Sequence, residues 1–254
     1  MKPSAKQLEV LFADNHVVVV NKPSGLLSIP DRYDTTLPSV RSIVKERFET
    51  SYTVHRLDRD TSGIMIVART PEAHKLLNDQ FEHHTVTKTY LAIVSGVVDK
   101  DAFPIDIPIM ADTRRKGLMK PSAKGKEAHT NVRVIERFRL ASLIECDLVT
   151  GRQHQIRVHC SAIGHPLLVD PDYGKTSSFK LSAIKRRYNL AKGAEEKPII
   201  DRLTLHSYRL TFIHPATGEK TSFEANPPKD FQAAVQVLRK YAAPYASSFD
   251  AEFY

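Results

Sequence analysis

The amino-acid sequence predicts an α+β fold, a mixed and largely antiparallel central sheet with flanking helices. Runs with strand character outnumber helical ones, and the helices interrupt them at irregular intervals. No regular strand-helix alternation of the kind that builds a doubly wound sheet runs along the chain. Internal repeats and a glycine-rich phosphate loop are also missing.

Near the amino terminus, "LEVLFAD" and "HVVVVNKP" flank Asp14 and Asn15, so two apolar, valine-rich runs read as strands joined by a tight turn. In "LPSVRSIVKERFE", Val40, Ile43, Val44 and Phe48 recur at helical spacing. Ala73, Leu76, Leu77 and Phe81 do the same in "TPEAHKLLNDQFEHH", where Thr70 suits the N-cap and Pro71 the first helical position. Between these helices the unbroken apolar run of "GIMIVART" fits a strand buried on both faces.

"TKTYLAIVSGVV", "HTNVRVIERF" and "LASLIECDLVTG" follow as strands on their alternation and β-branched content. "GRQHQIRVHCSAIG" reads as a short helix, with Thr150 near its start and Gly164 just past its end. Two strands around "HPATGE" and an amphipathic helix near 229–242 close the pattern. The whole chain, 1–254, reads as a single domain carrying two basic insertions, near 111–128 and 175–198, broken by Gly, Ser or Pro and open to being mobile arms.

A hydrophobic content of 41% with 26% charged residues describes an ordinary soluble chain. Its formal net charge of +8 favours an anionic partner such as a phosphate backbone. Neither a signal peptide nor a membrane span is expected, because "VVVV" is far too short to cross a bilayer, so a cytoplasmic location follows. Cys146 and Cys160 belong to no C-x-x-C pair and read as reduced, buried thiols.

The densest chemistry lies in "HRLDRDTSG", His55 to Gly63. In an extended segment Arg56, Asp58 and Asp60 share one side, and a guanidinium keeps a neighbouring carboxylate ionised and able to act as nucleophile or base. A structural ion pair at a strand end fits the same residues. Thr61 and Ser62 read as turn residues, since no G-x-S-x-G elbow surrounds Ser62. In "TGRQHQIRVH", His154 and His159 lack the spacing of a zinc pair and read as hydrogen-bonded residues beside the core. Arg157, between Ile156 and Val158, projects from a partly buried element.

Taken together, the motifs resemble those of the RluA-type pseudouridine synthases. "HRLDRDTSG" matches H-R-L-D-x-x-T-S-G, "KTY" at 88–90 the tyrosine motif, "TGRQHQIRVH" the T-G-R-x-H-Q-I-R-x-H motif and "RLTLHS" the R-L-x-L-H-A motif, all in order. The resemblance implies a pseudouridine synthase fold with a central RNA-binding cleft, and a metal-free and cofactor-free isomerase converting uridine in ribosomal or transfer RNA to pseudouridine. By the same resemblance Asp58 is the catalytic aspartate, Arg56 fills the gap left by the extruded nucleotide and Tyr90 lies against the uracil. Arg157 then pairs with the catalytic carboxylate, and Leu205 packs near the base.

The basic insertions offer Arg114, Arg115 and Lys116, with Lys185, Arg186 and Arg187, as phosphate contacts. Two departures from the family pattern, Val169 for glycine and Ser207 for alanine, fall outside the implied chemistry. No S4-like domain is expected ahead of the catalytic motifs, and a monomer suffices. Two other readings stay open: a non-catalytic RNA-binding protein on the same fold, for which Asp58 is dispensable, and, from "DRDT", a magnesium-dependent aspartate phosphatase, which calls for a Rossmann-like alternation.

Overall fold

The computed structural model describes residues 8–185, 188–189 and 193–244. In chain order these form β1 (Glu9–Ala13), β2 (Val17–Lys22), α1 (Val40–Phe48), β3 (Tyr52–Thr53), β4 (Ser62–Ala68), α2 (Pro71–Glu82), β5 (Thr87–Ser95) and β6 (Ala102–Asp106). There follow β7 (Ile109–Ala111), β8 (Met119–Pro121), β9 (His129–Arg137), β10 (Ala141–Leu148), α3 (Gln155–Ala162), β11 (Leu205–Ile213), β12 (Lys220–Glu224) and α4 (Lys229–Tyr241).

One ten-stranded sheet runs in the order β1-β2-β4-β11-β5-β10-β9-β6, with β12 added to β11 and β3 to β4. The contact of β4 with β11 is parallel and the remaining pairings are antiparallel. The sheet is therefore mixed and largely antiparallel, as the irregular order of strands and helices leads one to expect. Alternation along β2 and β4 sends successive side chains to opposite faces. Val18, Val20, Met65 and Val67 pack with Val40, Ile43 and Val44 of α1 and with Ile156 and Cys160 of α3. Val17, Val19, Ile64 and Ile66 pack with Ala73 and Leu77 of α2, while α4 covers Ile93 and Leu143 on that same side.

The local signals explain the ends of these elements. Asp14 accepts the backbone N–H groups of His16 and Val17 at 2.8 and 2.7 Å, closing the first hairpin. The Thr70 hydroxyl accepts from Ala73 N, and Ser39 and Ser42 form a reciprocal capping box on α1. Four short strands escape periodicity: β3, β7, β8 and β6, the last an edge strand that tolerates Pro104. Cys146 and Cys160 are buried free thiols. Among the described residues no helix is long and apolar enough to cross a membrane.

Two local expectations are overturned. Ser62 belongs to β4 and not to a turn, joining Gly63 at the start of the strand. Gly63 is required because β4 meets β11 there: a Cβ would fall 2.1 Å from the carbonyl oxygen of Ser207, at a φ of +116°. Ser62 is buried, donating to His206 Nδ1 at 2.9 Å. The stretch 151–154 is likewise non-helical, because the buried Gln155 side chain accepts from Arg152 N at 2.9 Å and donates to His129 O at 3.0 Å, anchoring a turn ahead of α3.

Candidate active site

The segment from Val54 to Asp58 has no regular structure and is strapped down from one side. Ser28 Oγ donates to Leu57 O at 2.7 Å and accepts from Leu57 N at 3.0 Å, and Gly25 N donates to Arg59 O at 2.8 Å. Beneath them lies Lys22, fully buried at the end of β2. Its Nζ donates to Pro23 O, Leu26 O and Arg59 O at 3.2, 2.8 and 2.9 Å, matching the three N–H groups of an ammonium. Burial pulls its pKa down to about 7, opposed by the charges of Asp60 and Asp58. The lysine passes unnoticed in the sequence; the one signal is a charge ending an otherwise apolar strand. Asp60 contributes its carbonyl to Ser24 Oγ and its charge to Lys22, away from the cavity.

Above this strap opens a cavity of about 190 Å³ whose lining includes Arg56, Asp58, Tyr90, His154, Arg157 and Leu205. Arg56 and Asp58 come from the loop before β4, Tyr90 from β5, Arg157 from α3 and Leu205 from the start of β11. Arg56 is exposed, Asp58 half-buried, and Tyr90 and Leu205 are buried. Burial pushes the Tyr90 phenol up to about 12, so it stays protonated at neutral pH. Its hydroxyl meets Ser207, the serine that replaces the usual alanine, which itself does not line the cavity.

Arg157 does not pair with Asp58. Its guanidinium grips Asp170 through Nε and Nη2 at 2.8 and 2.7 Å, and Asp172 at 2.6 Å. It also stacks over Tyr173, 4.8 Å from the ring centroid. The reason lies in the fold: the loop after α3 folds back so that Asp170, itself fully buried, takes both guanidinium edges. The polar group facing Asp58 is instead His154, whose Nε2 stands 3.8 Å from Asp58 Oδ1. His154 takes a left-handed conformation, φ 55°, just before α3. Desolvation lowers its pKa and keeps it neutral. His159 is confined to hydrogen bonds with Thr130 Oγ1 and Ile107 O, both at 2.9 Å.

None of the described basic residues singled out in the two insertions lines the cavity. Arg114, Arg115 and Lys116 lie between β7 and β8, a hairpin and not a loose arm, and none lines the pocket. Arg115 is held by Asp112 and by the carbonyl of Asp172 at 3.1 and 2.9 Å. Lys185 lies over the rings of Tyr188 and Tyr241, at the end of α4. Arg186 and Arg187 fall outside the described residues.

A mixed sheet with a cavity whose lining sets one carboxylate among arginines, an aromatic and apolar side chains is the arrangement that the pseudouridine synthase motifs lead one to expect. Comparison with known proteins agrees. The family model described as RNA pseudouridylate synthase matches residues 16–162, and the chain belongs to that family. It is 36% identical over 253 residues to a ribosomal large subunit pseudouridine synthase D of Zymomonas mobilis, covering 93% of this chain and 74% of that protein. It is 38% identical over 217 residues to a dual-specificity RNA pseudouridine synthase RluA of Yersinia pestis, covering 85% of this chain and 97% of that one. The solved structure of human RNA pseudouridylate synthase domain containing 4 superposes with a TM-score of 0.69 at 26% identity, covering 92% of this chain and 95% of that one. The chain is accordingly an RNA-modifying isomerase, a pseudouridine synthase.

Proposed function

We propose that the cavity over Asp58 receives the target uridine and that Asp58 is the group acting at its glycosidic bond. One observation carries this reading: Asp58 is the sole carboxylate among the residues lining that cavity. Breaking the bond develops positive charge on the sugar, which an ionised carboxylate stabilises by its field or by covalent capture. Tyr90 supplies a ring for the uracil and Leu205 an apolar neighbour, offsetting the stacking lost when the base leaves its helix. Arg56, exposed at the mouth, is placed to enter the RNA in its stead. Arg157 acts by shaping the wall, tied as it is to Asp170 and Asp172.

The RNA we assign is that of the large ribosomal subunit, the substrate named for several relatives at 35–38% identity. We assign the reaction to a monomer. Pseudouridine mapping of cellular RNA tests the reading, comparing a deletion strain with strains carrying the wild type or Asp58→Asn. A site lost in the deletion, restored by the wild type and not by Asp58→Asn, is expected. An Asp58→Asn strain that keeps the modification overturns the role of Asp58, and loss confined to transfer RNA overturns the choice of RNA.

A further inference from the structure

Beside the uridine cavity lies a second, larger one of about 470 Å³, sharing Arg56, Tyr90, Leu148, Gly151 and Arg152 with the first. Its distinctive members are Lys88, His55 and Phe81. Lys88 and Tyr90 are alternate residues of β5, so their side chains leave the same face of the strand, roughly 7 Å apart along it.

Lys88 is 7% exposed, yet its ammonium has no counter-charge. Among the described residues no carboxylate forms an ion pair with it and no acceptor takes a hydrogen bond from it. Glu82 lines the same cavity without pairing, and the face of Phe81, 5.9 Å from Nζ, offers no acceptor. Burial alone moves the lysine's pKa, downward, with no neighbouring anion opposing it. A desolvated cation with nothing to balance it is costly, and a fold keeps one where an anion arrives from outside.

A second donor points to the same conclusion. Ile66 N donates to His55 Nε2 at 3.0 Å, which leaves the ring proton on Nδ1. The imidazole stacks on Phe81 at 4.7 Å, and burial, with the nearby Lys88 charge, depresses its pKa to about 3, so it is neutral. Among the described residues nothing accepts the Nδ1 proton, and the residue lines the cavity.

We infer that this second cavity is a phosphate subsite for the RNA strand flanking the target uridine, with the Lys88 ammonium as its cation and the His55 Nδ1–H as a second donor. The inference rests on the reading of the neighbouring cavity as the uridine site, and it gives the net positive charge of the chain a defined point of contact. Both donors line the one cavity, and the half-buried Arg152, shared by the two cavities, extends the track.

The test uses the full chain, its Lys88→Met and Lys88→Arg variants, and an unmodified transcript of large-subunit ribosomal RNA titrated across a salt series. Lys88→Met is expected to weaken binding about tenfold at low salt and to reduce the slope of log affinity against log salt by about one, the signature of one lost phosphate contact. Lys88→Arg should restore the slope, and in turnover the loss should fall on KM more than on kcat. Because no partner is stranded, Lys88→Met should melt no lower than the wild type. An unchanged slope, or weaker binding with a lowered melting temperature that Lys88→Arg does not rescue, overturns the subsite. Wild-type protein that forms no pseudouridine in any RNA while the slope difference persists overturns the proposed function alone.

Discussion

His154 Nε2 faces Asp58 Oδ1 across 3.8 Å, and the other ring nitrogen is held by the Tyr173 hydroxyl at 2.8 Å. That hydroxyl accepts the Met119 N–H at 2.7 Å. A neutral imidazole that accepts the tyrosine proton on Nδ1 carries its own on Nε2, towards the aspartate. The β7–β8 hairpin is thereby tied to the ring that faces the carboxylate.

His154→Ala is expected to slow conversion at saturating RNA about tenfold, the factor matching roughly 1.5 kcal/mol of lost interaction with a charged group. Since burial lowers the His154 pKa from 6.5, the ring remains neutral through neutral pH and gains charge only as the solution becomes more acidic. The wild-type rate should therefore show no titration from this group around pH 6.5. A pH–rate profile of wild type and variant checks both points, and equal rates would remove His154 from the reaction.

The Arg157–Asp170 pair should dominate the stability of the site wall. Both side chains are buried, at 5% and 0% exposure, so Asp170→Ala strands a guanidinium and is expected to cost about 3–5 kcal/mol. Urea unfolding measures this. Replacing both partners by apolar residues of similar size should recover much of the loss, and equal destabilisation by single and double variants would refute the explanation.

Lys22 predicts a pH dependence of opposite sign to that of a surface lysine. Its pKa is 10.5 in the unfolded chain and about 7 in the fold, so between those values the unfolded state binds the extra proton. Its contribution to stability is therefore least favourable below pH 7 and improves as pH rises towards 10.5. Lys22→Met should abolish that rise and, by leaving buried carbonyls unpaired, cost about 1–3 kcal/mol near neutral pH. Thermal melts of both proteins across the range decide it, and parallel curves would exclude the lysine as the source.

Much of the protein was legible in its sequence. The alternation and valine content of β2 and β5, the cap at Thr70 and the helical spacing of α1, α2 and α4 are local properties, set by side chains a few residues apart. The motif around Asp58 was equally plain, because its residues are contiguous. What the tertiary structure alone decided are relations between distant segments. The parallel seating of β4 against β11 makes Gly63 obligatory, and the antiparallel register of β11 with β5 sets Ser207 opposite Tyr90. The loop after α3 takes the direct ion pairs of Arg157, which stays within reach of the Asp58 charge, and His154 faces Asp58. Lys22 and Lys88 look alike in a sequence, as single lysines in strands. Only the packed chain encloses one ammonium among three carbonyls and leaves the other, largely buried, facing a cavity without an ion-pair partner among the described residues. A charge's partner is chosen by proximity in space, and periodicity along the chain carries no record of it.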